Sequence, residues 1–120
     1  MRRFARTPGR ITGLRARTIA RTRIELDFKT PGTDGTQPPP VRRYLVKQSL
    51  RPIRDSRDFA RAQTLCQGSC RFAVSEVGDR VSLKVRDLRP RTTYYYAVSA
   101  RDNVSGRPGP RSRGVTARTG

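Results

Sequence analysis

Residues 88–100 read LRPRTTYYYAVSA, and the six that follow read RDNVSG. Tyr94, Tyr96, Val98 and Ala100 recur at a period of two, which places them on one face of a pleated strand. Pro90 sets a rigid corner ahead of that strand, and Gly106 permits a turn behind it. The stretch therefore reads as the turn into a half-buried β-strand and the whole of that strand. Residues on either side follow the same two-residue logic.

Arg23–Phe28 alternates strictly, with Ile24, Leu26 and Phe28 to one side and charged residues to the other. Val41–Ser49 is the next strand, with Tyr44 and Val46 inward. Pro8 to Leu14 begins as a loop and enters a short first strand. Between these, residues 31–40 read PGTDGTQPPP. Three successive prolines favour polyproline II and cannot donate to a ladder, so an exposed loop is expected there. Residues 55–65 suit a short helical turn capped by Asp55 or Ser56, with Phe59 and Ala62 docking on one side. A Cys66–Cys70 turn, Arg71–Val74, a turn at Gly78 and Asp79, and alternating Val81, Leu83 and Val85 follow. Gly114–Thr119 closes the chain. Seven or eight short strands separated by turn signals match an all-β, two-sheet antiparallel sandwich.

The pattern resembles the fibronectin type III family over residues 8–119. Leu88, Pro90, Thr92 and Tyr94 look like that family's tyrosine corner, in which the phenol bonds nearby upstream backbone. Pro8, Ile11 and Leu14 resemble its opening strand, and Ile24, Leu26 and Phe28 with Pro31 its second. The family usually carries a tryptophan at the position of Phe28, whereas this chain has none. Tyr44 and Val46 resemble the third strand. Gly106, Pro108, Pro110 and Ser112 resemble the turn into the last strand, and Val115, Ala117 and Thr119 its end. Residues 51–79 run longer than the family usually does and lie outside the likeness. The resemblance implies an immunoglobulin-like sandwich used for spacing, adhesion or protein interaction rather than chemistry.

With 120 residues the chain has room for one two-layer core. Residues 1–7 read as a flexible basic tail and 8–120 as the domain. No apolar run approaches the ~18 residues of a membrane span. The basic start lacks the apolar stretch of a signal peptide, so Met1 reads as the start of a piece excised from a longer, secreted or cell-surface protein of Arg-rich bacterial type. Neighbouring domains of that chain are then its first partners.

Charge is the other strong signal. There are 27 basic residues against 9 acidic ones, for a net +18, and only 3 of the basic residues are Lys. Residues 1–23 carry +8 and residues 101–120 carry +4, so two-thirds of the excess lies in the first and last strands with their tails. In a sandwich of the resembled kind those strands lie on one side. Arg10, Arg15, Arg17, Arg21 and Arg23 would then approach Arg107, Arg111, Arg113 and Arg118. Such an edge suits a polyanion such as an acidic polysaccharide or cell-wall polymer, because the guanidinium fork binds carboxylate, sulfate and phosphate in pairs. The competing reading is that these arginines only cover apolar strand margins with their stems.

Cys66 and Cys70 are the only cysteines. With no His, four zinc ligands cannot be assembled, and the spacing is one residue too long for a redox pair. They form either a disulfide across the Gln-Gly-Ser turn, which places the protein in an oxidising compartment, or two buried thiols. The nine carboxylates are scattered beside arginines, no general base of the His type exists, and no phosphate-cradling glycine loop precedes a helix. Catalysis and cofactors are not expected. Nucleic acid is disfavoured too, since most of the eight aromatics are assigned inward, which leaves Tyr95 and Phe4 for stacking. Recognition by loops would involve residues 33–40 or 103–108.

Overall fold

Tyr94, Tyr96, Val98 and Ala100 are all buried, and the strand that carries them, β9 (Thr93–Arg101), lies inside the larger of two sheets. The structure, a computed structural model, describes residues 8–34, 37–103 and 108–120. The expected tail 1–7 with Phe4, the turn glycine Gly106, Arg107, and the tip of the 31–40 segment lie outside the described residues.

The smaller sheet has the order β1 (Thr12–Ala20), β2 (Arg23–Lys29), β8 (Arg80–Val85), antiparallel throughout. In the larger sheet β9 is flanked by β5 (Arg43–Ser49) on one side and by β10 (Pro108–Arg111) and β11 (Val115–Arg118) on the other. The two-residue strands β6 (Gln63–Thr64) and β7 (Cys70–Arg71) both pair with β5. The eleven strands of the described residues exceed seven or eight because two strands are interrupted and residues 32–40 add a two-stranded hairpin. Ser112 breaks the last one: its N–H donates to the Val98 carbonyl at 2.7 Å, and its Oγ accepts from the Val98 N–H at 2.9 Å. The edge strand is broken by the 66–70 turn.

Each sheet buries the face its alternation specifies. Ile24, Leu26 and Phe28 of β2 and Tyr44 and Val46 of β5 are fully buried, with Val81 and Val85 beside them. Phe28 meets Tyr44 edge-on with centroids 4.9 Å apart, and Phe72 joins both rings at 6.1 and 5.8 Å. Such aromatic clusters contribute about 0.5–1.5 kcal/mol per pair beyond area burial.

Two expectations need correction. The first strand is not short: it runs nine residues, to Ala20. A register shift at Gly13, which sits at φ +66°, makes a bulge that re-aims the chain before it continues. The 31–40 segment is not irregular either. β3 (Gly32–Asp34) and β4 (Gln37–Pro40) form a two-stranded hairpin, Gly32 opposite Pro40 and Asp34 opposite Gln37. Polyproline II lies close to extended backbone, and prolines keep their carbonyls. The missing donor is supplied just beyond them, where the Val41 N–H reaches the Pro31 carbonyl at 3.0 Å.

Buried phenols make the fold sensitive to alkali. The Tyr44 hydroxyl donates to the Val41 carbonyl at 2.7 Å, and the Tyr96 hydroxyl donates to Gln48 Oε1 at 2.8 Å. Burial pushes both phenols well above the usual tyrosine range, and for Tyr96 the charge on Tyr94 adds to it. A raised folded-state value means the unfolded chain loses these protons first. Their stabilisation is therefore complete below the unfolded value of about 10 and falls as pH rises beyond it, by about 1.4 kcal/mol per pH unit for each phenol. Urea midpoints measured from pH 8 to 12 should drop steeply above pH 10, and a Tyr96→Phe variant should regain about half of that drop, the share of one of the two phenols.

Candidate arginine surface

Strands β1 and β11 come together, as the resembled sandwich implies. The Thr18 Oγ1 of β1 donates to the Arg118 carbonyl of β11 at 2.6 Å. The arginines carried by these strands do not form one stripe, however. Antiparallel register sets Arg15 opposite Asp27 and Arg17 opposite Glu25 on the outer face of the smaller sheet. Arg15 bonds Asp27 at 3.1 Å, Arg17 bonds Glu25, and Arg80 of β8 reaches the same Asp27. Such solvent-facing pairs contribute about 0–1 kcal/mol each, and they cancel much of the charge these arginines would offer a ligand.

Arg21 and Arg23 are exposed at the β1–β2 turn, and Arg21 lies beside Gly120. Arg118 points across its own sheet to Thr93 Oγ1 at 3.3 Å. A third group sits near the other end. Arg10, Arg111 and Arg113, with Ser56 and Pro110, line an open cleft of about 510 Å3. Arg111 donates to the Arg54 carbonyl there, at 3.3 Å. Among the described residues of the expected edge, Arg10, Arg111 and Arg113 converge here.

Cys66 and Cys70 are bonded, with Sγ atoms 1.99 Å apart and Cα atoms 5.2 Å apart. Cys66 and Gln67 both take positive φ to close the turn, and Cys70 pairs with Tyr44 of β5. A loop this small restricts the unfolded chain little. The double Cys66→Ser, Cys70→Ser variant should lose about 2 kcal/mol or less, read from urea denaturation against the oxidised protein.

At the corner before β9, Leu88 is buried and the Arg89 N–H donates to the Tyr94 hydroxyl at 2.9 Å. Tyr95, on the opposite face, is half-buried and lies across from Ser49 and Thr116. Among the described residues no group of three or more His, Cys, Asp or Glu side chains could hold a metal ion, and no helix is long and apolar enough to cross a membrane.

Two antiparallel sheets, with β1, β2 and β8 facing β9, β5 and their edge strands, define an immunoglobulin-like β-sandwich. More narrowly, the chain has the fibronectin type III fold. It is similar to the FN1–FN3 domains of chicken CNTN1 (TM-score 0.61, 22% identity), covering 92% of this chain and 31% of that one. It is also similar to the FN5 domain of Drosophila Lar (TM-score 0.53, 21% identity, 94% and 97% covered). The sixth fibronectin type III domain of human fibronectin type III domain containing protein 3 matches at TM-score 0.55 and 19% identity, with 98% and 90% covered. The chain thus spans under a third of the CNTN1 fragment and about the whole of the two single domains. No family model and no curated protein matches it.

Proposed function

We propose that this chain is a non-catalytic module of a larger, extracellular protein, acting as a spacer or as an adhesion and protein-interaction domain. One observation carries the reading: Pro8 and Gly120, the first and last described residues, lie at opposite ends of the sandwich. Pro8 packs against Gly109, and the Gly9 N–H reaches the Gly32 carbonyl, near where β1 begins. Gly120 lies beside Arg21, past the far end of β1, and its carbonyl accepts from the Arg91 N–H at 3.0 Å. Nine strand residues at ~3.3 Å each hold these ends about 30 Å apart. A chain passing through such a module enters at one end and leaves at the other. Fluorescent proteins fused directly before residue 8 and after residue 120 should give a narrow energy-transfer distribution. A distribution as broad as that of a flexible linker of equal length would sink the spacer reading.

A second reading, polyanion binding at the edge, is favoured by the convergence of Arg10, Arg111 and Arg113. Guanidinium groups around one cleft suit an acidic polysaccharide or a cell-wall phosphate polymer. The full chain should then elute late from a heparin column on a salt gradient. The Arg10→Ala, Arg111→Ala, Arg113→Ala variant should elute much earlier than an Arg15→Ala, Arg17→Ala, Arg21→Ala variant of equal charge. Equal shifts in both would leave the edge as a solubilising margin only.

A further inference from the structure

The outer face of the larger sheet carries arginines in an arrangement the smaller sheet lacks. In the smaller sheet, register brings Arg15 and Arg17 opposite carboxylates. In the larger one it sets Arg71 of β7 opposite Arg43 of β5, and Arg43 opposite Arg101 of β9. Three like charges stand in one row across three adjacent strands, about 4.8 Å from one strand to the next. Like charges placed directly opposite destabilise a sheet. The ion pairs among the described residues involve none of the three.

An independent observation falls on the same patch. Three buried side-chain polar atoms have no hydrogen-bond partner among the described residues: Arg43 Nε, Ser99 Oγ and Arg101 Nε. Ser99 is two residues from Arg101 on the same face, and its cross-strand partner Leu45 is two residues from Arg43. All three atoms are donors, and a buried donor left unmatched costs about 1–3 kcal/mol. Farther along β5 on this face, burial and then the charge of Arg101 lower the pKa of the Lys47 ammonium. At the β7 end the row opens into a shallow cleft of about 390 Å3 lined by Arg42, Arg43, Arg71, Phe72, Ala73 and Asn103.

Positive charge and spare donors without an acceptor describe a seat for an anion. We propose that Arg43, Arg71 and Arg101 bind a linear oligoanion bearing repeated tetrahedral oxyanions, sulfate or phosphate, laid across the strands. Arg71 is exposed, and Arg43 and Arg101 are half-buried. A torsion about the end of the side chain then turns the paired Nε–H and Nη–H edge onto an oxyanion, the geometry for which the fork is suited. This site shares no residue with the Arg10, Arg111, Arg113 cleft and stands or falls separately from it.

Isothermal titration of the full chain at low salt, with sodium tripolyphosphate and with a sulfated heparin tetrasaccharide as probes, tests the assignment. At least one probe should bind one-to-one. Arg43→Gln and Arg101→Gln should each weaken that binding about tenfold or more, the effect of losing one charge-assisted contact. The equal-charge control Arg21→Gln should change it by less than about twofold, as expected of a distant screened charge. Which probe binds tells a phosphate chain from a sulfate ester. Melting of the unliganded variants supplies the second readout. Relief of repulsion should leave Arg43→Gln at least as stable as the parent at low salt, with any gain shrinking at high salt. Binding by neither probe, an equal loss in Arg21→Gln, or a clear drop in melting temperature for Arg43→Gln would overturn the proposal. The last outcome would mean that the arginine stems hold the sheet together by packing.

Discussion

Phe28→Ala is expected to remove about 3–5 kcal/mol of stability, a large part of the 5–15 kcal/mol typical of a domain. Phe28 is fully buried on β2 and is the ring that both Tyr44 and Phe72 touch. Deleting it removes its transfer energy and leaves a void between the sheets. The two remaining rings are held by β5 and by the chain just after the disulfide, so the void closes poorly. Urea denaturation should show the midpoint falling with an unchanged slope. A loss below about 1 kcal/mol, the scale of removing a single methylene, would show that the aromatic cluster repacks freely and is not the centre of the core. The reverse substitution is informative too. Phe28→Trp restores the residue usual at this position in the resembled family, yet should destabilise by about 1–3 kcal/mol through overpacking, because Phe72 already occupies the flank of the ring.

That cluster also separates what the sequence made legible from what it did not. The parity of Ile24, Leu26 and Phe28, and of Tyr94, Tyr96 and Val98, depends on neighbours two residues apart in one strand, and such local alternation specified the buried faces. The absence of tryptophan signalled a different centre to the core. What replaced it was hidden, because Phe72 arrives from the 51–79 segment and meets Phe28 through tertiary packing alone. The charged surface behaves likewise. Alternation places Arg15, Arg17 and Arg43 on outward faces, but cross-strand register decides what stands opposite them. Register gave Arg15 and Arg17 carboxylates and gave Arg43 two further arginines. Residues 8 to 58 positions apart carry that outcome, and alternation within one strand does not encode it. The edge read from charge counts therefore divided into paired, isolated and converging groups, while the row on the larger sheet went unseen.

The 50–62 segment, opaque in the sequence beyond its short helix, supports the second large effect. Gly114→Val should unseat that segment from the outer face of the larger sheet. Helix α1 (Ser56–Arg61) is capped by Asp55, whose side chain accepts from the Asp58 N–H. Lys47 of β5 holds the helix from below: its Nζ lies 5.7 Å from the Phe59 ring centre and donates to the Ala62 carbonyl at 3.2 Å. The preceding residues are held at Ile53, which is buried although it belongs to no strand or helix. Its carbonyl comes so close to Gly114 that a Cβ there would lie 2.8 Å away. Glycine is thus required at this position for close approach, and a branched side chain must push the segment outward. The expected cost is about 1–3 kcal/mol. Because the strain falls on one strap, it should appear as local opening, with tryptic cleavage after Arg54, Arg57 and Arg61 rising about tenfold per 1.4 kcal/mol. Unchanged cleavage would show that strap and strand shift together as one body. Titration of the same variant with tripolyphosphate or the heparin tetrasaccharide separates two roles of this face. Arg43, Arg71 and Arg101 are fixed by strand register rather than by the strap, so their anion binding should survive its release.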